Sequence, residues 1–229
     1  MGSGRVLGVD ACKAGWVGIA VGDGPVRSYF APLIDDLVRE AGPLDVVAID
    51  IPIGLPDTGA RMADELARAM VGPRRASSVF TTPARAAIEC DDYATAAAES
   101  RRRTGKGLSR QAYGLRAKVL QVDRWVRGQS GVRVVEVHPE VSFVAMAGGP
   151  LSASKTTWSG FAERRALLAA AGITLVDRLG TAGTKAKPDD VLDAAAAAWT
   201  AQRVADGTAR CVPDPPEVFS DELPAAIWT

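Results

Sequence analysis

The stretch RVLGVDACKAGWVGIAVGDGPVRSYF, residues 5–30, decides the fold. Its apolar runs at 5–10 and 16–21 predict two short strands, and the Gly-Asp-Gly-Pro sequence at 22–25 predicts a turn before a third strand in VRSYF. Because the connecting segments are short, we expect these strands to form an antiparallel meander. The first predicted strand ends in a carboxylate, Asp10.

The rest of the chain alternates between helical and extended patterns. A helical periodicity over 33–40 precedes DVVAID, residues 45–50, a nearly all-apolar run typical of a central strand buried on both faces. The later predicted elements are helices at about 61–71, 92–103, 110–127 and 160–171, a strand at 132–137, and a final helix that begins near Pro188.

This element order predicts an α/β fold with a mixed sheet flanked by helices on both faces. The ribonuclease H-like fold has this order. We expect a single such domain over residues 1–229, with residues about 60–128 as a helical insertion after the fourth strand. The Pro-rich tail at about 208–229 is expected to run over the surface.

The composition limits the function classes. Lys plus Arg equals Asp plus Glu at 27 each, so a nucleic-acid ligand must be held by a local patch or through metal ions. The three cysteines are far apart and form no CxxC pair, which argues against a zinc ribbon or a disulfide framework. With no signal-peptide pattern and no apolar run of roughly 18 residues, we expect a cytoplasmic protein without a membrane span.

Carboxylates mark the predicted strand ends and the start of the last helix. They are Asp10, Asp50 and Glu136 on strands, and Asp189, Asp190 and Asp193 on the helix. Strand ends share an edge of an open sheet, and the i, i+3 spacing places Asp190 and Asp193 on one helix face. If this helix packs beside that edge, the carboxylates converge. Each acid alone also suits a turn or a helix cap, and Asp189 after Pro188 is the expected cap.

A converged carboxylate cluster requires cations, because like charges raise one another's pKa. All-oxygen ligand sets suit Mg²⁺ or Mn²⁺. Two such ions, about 4 Å apart, activate a water and stabilise the leaving oxygen in phosphodiester hydrolysis. The single histidine, His138, leaves little room for triad or multi-histidine chemistry.

Five stretches resemble, in order, the motifs of one family: VLGVDACKAGWVGIAV, VVAIDIPIGLP, SSVFTTPAR, VEVHPEVSF and DDVLDAAAAAWTAQR. This family is the domain of unknown function 429, described as predicted ribonuclease H-like nucleases, and the resemblance covers residues 5–207. In the wider superfamily, which includes Holliday-junction resolvases, the first strand, the fourth strand and the last helix supply the catalytic acids. The metal ligands that the resemblance implies are Asp10, Asp50, Asp190 and Asp193. Asp10 is expected to bridge two ions, and Glu136 is our addition to the catalytic set.

Basic side chains supply candidate contacts to a nucleic-acid substrate, because guanidinium and ammonium groups bind phosphate. The candidate substrate-binding residues are Lys13, Arg61, Arg75, Arg85, His138 and Lys155. Surface arginines paired with neighbouring acids, a solvated loop lysine and a structural histidine are the alternatives at these positions.

Two other functions share the same sequence features. GVDACKAGWVGIAV also resembles the phosphate-binding hairpin of actin-like kinases and ATPases, although 229 residues leave no room for their second half. A non-catalytic module with structural acids is the other alternative. GPLSASKT, residues 149–156, approaches a P-loop, but Ser154 replaces the required second glycine. The hypothesis is therefore a nuclease that depends on a divalent metal.

Overall fold

The computed structural model describes residues 4–229, so the first three residues of the predicted 1–229 domain lie outside it. The chain forms two compact units. The first unit comprises the chain up to Ile51 together with Gln129–Arg210 and Trp228–Thr229, and the second comprises Pro52–Gly128 and Cys211–Ile227. The assignment of a single domain stays a prediction, since one domain can contain two compact units.

A mixed sheet forms the centre of the first unit. Its strands are β1 (Val6–Cys12), β2 (Gly15–Val21), β3 (Arg27–Ala31), β4 (Val46–Ile49) and β5 (Arg133–Val137). Their order in the sheet is β3-β2-β1-β4-β5. The first three strands are antiparallel, whereas β4 runs parallel to β1 and β5 runs parallel to β4. This arrangement confirms the predicted meander and the predicted ribonuclease H-like α/β fold.

Helices of the first unit pack on this sheet or on one another. They are α1 (Ile34–Ala41), α7 (Pro139–Ala147), α8 (Trp158–Ala170), α9 (Gly180–Lys185) and α10 (Pro188–Ala205). The alanine run of α10, residues 194–198, is completely buried. It belongs to apolar clusters that also contain Val6, Ala48 and Val135 of the sheet. The small side chains therefore form a packing face that lets α10 lie close to the sheet.

The second unit is mainly helical. Its elements are α2 (Met62–Val71), a 3₁₀ turn (Ala76–Ser78), α3 (Arg85–Ile88), α4 (Tyr93–Thr104), α5 (Arg110–Gly114), α6 (Arg116–Arg127), β6 (Cys211–Val218) and most of β7 (Pro224–Trp228). The helices α2–α6 follow β4 in the chain and correspond to the predicted helical insertion.

The structure corrects three local predictions. The predicted helix at 110–127 is two helices, since α5 ends at Gly114 and α6 begins at Arg116. The Gly/Thr/Lys composition of residues 180–185, just before the last helix, predicts a loop, but this segment forms α9. The tail does not simply run over the surface, because it contains β6 and β7 and buries residues 225–227. Within residues 4–229, no helix is long and apolar enough to cross a membrane.

Candidate active site

Asp10 and Asp50 lie side by side at the ends of two parallel strands. In the β1–β4 register Val9 is opposite Ile49, and the Asp50 amide donates to the Val9 carbonyl at 2.9 Å. Residues paired in register point to the same face of a sheet, and direction alternates along each strand. Asp10 and Asp50 are therefore the next residues of the two neighbouring chain segments. Their side chains lie on the same face of the sheet as Gly8 and Ala48.

Helix α10 lies directly against that face. A Cβ atom placed on Gly8 would lie 1.9 Å from the backbone nitrogen of Ala198 and 2.2 Å from the carbonyl oxygen of Ala194. Only glycine permits this approach of helix backbone to strand backbone. The Ser142 and Thr200 hydroxyls, 2.8 Å apart, also join α7 to α10. These contacts fix the position of Asp193, which precedes Ala194 on the helix.

Asp193 is buried and forms an ion pair with Lys155. The Lys155 ammonium donates to Asp193 Oδ2 at 2.5 Å, from the loop between α7 and α8. The other carboxylate oxygen, Oδ1, is buried and has no hydrogen-bond partner. A buried acceptor in this state is costly, so it marks a position where a donor or a cation gains free energy on binding.

Electrostatics joins Asp10, Asp50 and Asp193 into one cluster, although Asp50 is only half-buried. Burial raises the pKa of Asp10 well above its usual value, and the charges of Asp50 and Asp193 raise it further. Burial also raises the pKa of Asp50, an increase that the charges of His138 and Lys155 oppose. Burial raises the pKa of Asp193 to about 6, although Lys155 lowers it. Each carboxylate therefore carries a free-energy penalty when ionised.

The start of α10 corrects the assignment of its two adjacent aspartates. Asp190, and not Asp189, caps the helix, because its Oδ2 accepts the Lys187 amide at 2.9 Å. Asp190 sits at the third helical position, where a side chain can reach back to the residue before the helix. Burial raises the pKa of Asp190, and its charge contributes to the raised pKa of Asp10. Asp190 is therefore a cap at the margin of the acid cluster.

The register of β5 does not support the predicted place of Glu136 in the catalytic set. Glu136 is opposite Ile49 across the β4–β5 pair, so its side chain points to the face opposite Asp10 and Asp50. We therefore leave Glu136 out of the site, although it is buried. His138, by contrast, follows β5 and begins α7, and its charge acts on Asp50. The strand ends at Val137, so His138 does not continue the alternation that Glu136 follows.

A buried ion pair that no sequence pattern predicts acts electrostatically on Asp50 and Asp193. Arg164 of α8 is completely buried and binds both carboxylate oxygens of Glu140 on α7, at 2.7 and 2.9 Å. The charge of Glu140 also raises the pKa values of Asp50 and Asp193. In the sequence, Glu140 resembles an ordinary first-turn acid after Pro139, and no spacing rule links it to an arginine 24 residues later.

The other predicted phosphate contacts differ in their exposure and in their partners. Lys13 is exposed in the turn between β1 and β2, in the first unit. Arg61 is completely buried in the second unit, where it donates to Asp64 and to the carbonyl oxygens of Ile53 and Gly54. A phosphate cannot reach that guanidinium without displacing these partners, so we leave Arg61 out of the site.

Arg85 and Arg75 also belong to the second unit. Arg85 forms ion pairs with Asp123 and Asp221, each at 2.8 Å, so its charge is already compensated. Arg75 is half-buried beside the 3₁₀ turn, and its Nε has no hydrogen-bond partner. The roles of Arg75, Arg85 and Lys13 toward a substrate stay predictions. The P-loop alternative is excluded, because residues 149–156 follow the helix α7 and a P-loop follows a strand.

The donor atoms of the acid cluster suit a divalent cation, but the side chains are not arranged to hold one. Its donors are carboxylate oxygens, which Mg²⁺ and Mn²⁺ prefer, and Asp193 Oδ1 lacks a partner. Across residues 4–229, however, no three or more His, Cys, Asp or Glu side chains are grouped closely enough to hold a metal ion. The positive charge next to Asp193 is that of Lys155.

The strand order and the helix on the acid-bearing face define an α/β protein of ribonuclease H-like fold. The chain belongs to the family described as "Protein of unknown function (DUF429)", whose model matches residues 8–218. No curated protein matches the chain. Among solved structures, RuvC from Thermus thermophilus is similar at 15% sequence identity with a TM-score of 0.37; the match covers 89% of this chain and 97% of that chain. A likeness this distant says nothing about the residues that act in this chain.

Proposed function

We propose that this protein hydrolyses phosphodiester bonds in nucleic acid with the help of a divalent cation, which would draw together the Asp10, Asp50 and Asp193 carboxylates that stand too far apart to hold it in this structure. One observation carries the proposal: three acids from β1, the end of β4 and α10 form one electrostatically coupled, largely buried cluster. A structural role alone does not account for it, because each carboxylate costs folding free energy when ionised.

The side chains around the cluster have distinct tasks in this proposal. Asp193 Oδ1 is the acceptor with unmet bonding capacity, and Asp10 and Asp50 supply further carboxylate oxygens on the same face of the sheet. When bound, a Mg²⁺ or Mn²⁺ ion supplies Lewis acidity, which lowers the pKa of water and neutralises charge that develops on a phosphate. Lys155 compensates Asp193, and its partly exposed ammonium is placed to contact a phosphate oxygen.

Water exclusion and orientation come from the packing of α10. Its buried alanine face packs against the sheet next to the cluster, and the contact at Gly8 holds Asp193 beside β1. Arg164 compensates the negative charge of Glu140. The acids therefore do not experience the full repulsion of the Glu140 carboxylate. These residues position the acids; they do not touch the substrate in this proposal.

A cleavage assay tests the proposal directly. The purified full-length chain is incubated with Mg²⁺ or Mn²⁺ and labelled single-stranded, duplex and branched DNA and RNA. We expect metal-dependent cleavage that falls by on the order of 100-fold or more in Asp10→Asn and Asp193→Asn, the size typical of losing one catalytic interaction. Asp206→Asn, at the far end of α10, is the matched control because Asp206 is exposed.

Two outcomes contradict the proposal. One is the absence of metal-dependent cleavage on every substrate. The other is equal cleavage by the wild-type protein and by both acid variants, which identifies a contaminating nuclease. Tight binding of ATP measured by calorimetry, without cleavage, would instead favour the phosphotransferase alternative.

A further inference from the structure

Helix α8 begins with an aromatic side chain that is almost fully exposed. Trp158 is 81% exposed, the largest exposure among the large apolar side chains of residues 4–229. Its ring is stacked on Phe161, one helical turn later, with centroids 5.9 Å apart and an interplanar angle of 26°. The stacking partner holds the indole in place, and the exposure leaves room for a second flat ring against it.

An apolar cavity adjoins this aromatic pair. It has a volume of about 240 Å³, and its lining includes Phe161 and Arg165 of α8, Leu175 and Leu179 before α9, and Val191 and Leu192 of α10. Sites for drug-sized ligands are typically about 300–1,000 Å³. The smaller cavity suits one ring system rather than a larger molecule.

A segment that contains several cations borders the cavity. RLGTAGTKAK, residues 178–187, has three cations between the acids Asp177 and Asp189, and its Leu179, Gly183 and Ala186 line the cavity. Arg165 pairs with Asp177 at 3.2 Å, but both side chains are strongly exposed. An exposed ion pair contributes little free energy, so the Arg165 guanidinium is free to exchange Asp177 for a phosphate.

The aromatic pair is also close to the acid cluster along the chain. Lys155, which binds Asp193, precedes Trp158 by three residues, so their Cα atoms are at most about 11 Å apart. On α10, Val191 and Leu192 line the cavity and directly follow and precede the acids Asp190 and Asp193. One nucleotide bound at the acids therefore brings its neighbour within reach of Trp158.

We infer that Trp158, Phe161 and the adjoining cavity bind one unpaired nucleobase next to the phosphodiester at the acid cluster, so that the substrate class is single-stranded nucleic acid. This inference rests on the proposed function. A base has the flat π-face that stacks on an indole, and its phosphates match the surrounding cations. An apolar peptide would use the cavity and leave those cations uncompensated.

A binding measurement without metal tests this inference apart from cleavage. Anisotropy of a labelled oligothymidylate is followed in EDTA, on an Asp10→Asn background that removes one repelling carboxylate and prevents turnover. We expect Trp158→Ala to weaken binding by about 5- to 150-fold, the range given by the loss of one stacked base, and Trp158→Phe to keep most of the affinity. Leu33→Ala, another exposed apolar position of the first unit, is the control and should leave binding unchanged.

The substrate itself provides the second arm of the test. Wild-type protein should prefer the single strand to the matched duplex, and one abasic nucleotide at a fixed position should reproduce the loss seen in Trp158→Ala. Equal affinity of Trp158→Ala and Leu33→Ala for the single strand overturns the inference. Self-association that sedimentation detects in the wild type and that Trp158→Ala abolishes also overturns it, because the face is then an interface between copies.

The two proposals fail in different ways. Oligonucleotide binding that depends on Trp158, without metal-dependent cleavage, leaves the base-binding inference standing and refutes the nuclease. Metal-dependent cleavage of a single strand with an unchanged KM in Trp158→Ala supports the nuclease and refutes the base-binding inference.

Discussion

The Lys155 ammonium lies 2.5 Å from Oδ2 of Asp193, while Oδ1 of the same carboxylate has no partner. The lysine side chain is 39% exposed and the aspartate side chain only 3%. A partly exposed cation thus compensates a buried anion. Because the two side chains differ in burial, substitutions of Lys155 and of Asp193 should differ in their effect on stability.

Removal of the lysine should destabilise the protein at neutral pH. Lys155→Met leaves a buried carboxylate without its counter-charge, which typically costs about 3–5 kcal/mol in a fully buried pair. Because Lys155 is partly exposed, we expect a smaller loss, about 1–3 kcal/mol, in the free energy of unfolding measured with urea. The double variant Lys155→Met/Asp193→Asn should recover much of this loss, and strictly additive single effects would show that the pair is not coupled.

Replacement of Asp10 should stabilise the protein, and increasingly so at higher pH. Burial, together with the charges of Asp50 and Asp193, raises the pKa of Asp10, so the folded state binds the proton more tightly than the unfolded state. The cost of ionisation is absent below the unfolded value of about 3.9, grows as pH rises from there toward the folded pKa, and is constant above it. Asn keeps the Oδ1 atom that accepts the Ala11 amide at 2.7 Å.

The measurement is the melting temperature of Asp10→Asn against wild type between pH 4 and pH 8. We expect a gain of a few degrees at pH 8, since about 1 kcal/mol moves Tm by about 2–4 °C in a chain of this size, and no gain near pH 4. The exposed Asp206→Asn should show no such trend. A gain that is independent of pH contradicts the assignment to ionisation of Asp10.

Divalent cations should stabilise the wild-type protein in the absence of substrate. At a concentration about 100 times its Kd, Mn²⁺ should add about 2.7 kcal/mol and raise Tm by about 5–10 °C. Asp193→Asn removes the negative charge that makes the unpartnered Oδ1 a strong ligand and should abolish most of this increase, whereas Asp206→Asn should retain it. An equal Mn²⁺ effect in Asp193→Asn places the ion elsewhere.

The buried Glu140–Arg164 pair should be far more costly to break than its exposed neighbour. Glu140→Gln leaves the completely buried Arg164 charge uncompensated and should lower the free energy of unfolding by about 3–5 kcal/mol. The next residue of α8 provides the comparison, because Arg165→Gln breaks an exposed pair and should cost at most about 1 kcal/mol. Similar costs for both, measured by urea denaturation, would contradict the burial of the Glu140–Arg164 pair.

The glycine of β1 should tolerate no side chain. Gly8→Ala places a Cβ within 1.9 Å of the α10 backbone, which cannot move aside without shifting Asp193, so we expect a loss of at least about 3 kcal/mol. Gly18→Ala on β2 is the control, since its Cβ would meet side-chain atoms of Leu7 and Leu37 at 3.0 and 3.2 Å. These can adjust by a few tenths of an ångström. Comparable melting temperatures for the two variants would show that α10 is displaced at little cost.

Periodicity in the sequence predicts the sheet and the strand-end acids well. The apolar runs and the turn signal within residues 5–30 predict the meander, and the apolar run before Asp50 predicts the central parallel strand. The placement of Asp10, Asp50 and Asp193 in one cluster follows from strand ends that share an edge and from a helix that packs on them. The alanine run of α10 signals that packing because small side chains permit close approach.

The remaining features depend on information that spacing does not carry. Glu136 and Asp50 both end apolar runs, yet the register of β5 turns their side chains to opposite faces, and register is a tertiary property. Asp189 and Asp190 are interchangeable as caps until the first helical residue is known. The pairing of Glu140 with Arg164 depends on how α7 and α8 pack, which no local pattern specifies.

The exposure of Trp158 has a spectroscopic consequence. Trp16 is 0% and Trp125 8% exposed, while Trp199 and Trp228 are half-buried. A water-soluble collisional quencher should therefore act mainly on Trp158, and the long-wavelength side of the emission spectrum should come mainly from that indole. Light emitted by the unlabelled protein can then be resolved into a component that senses the surface beside Lys155 and one that senses the interior.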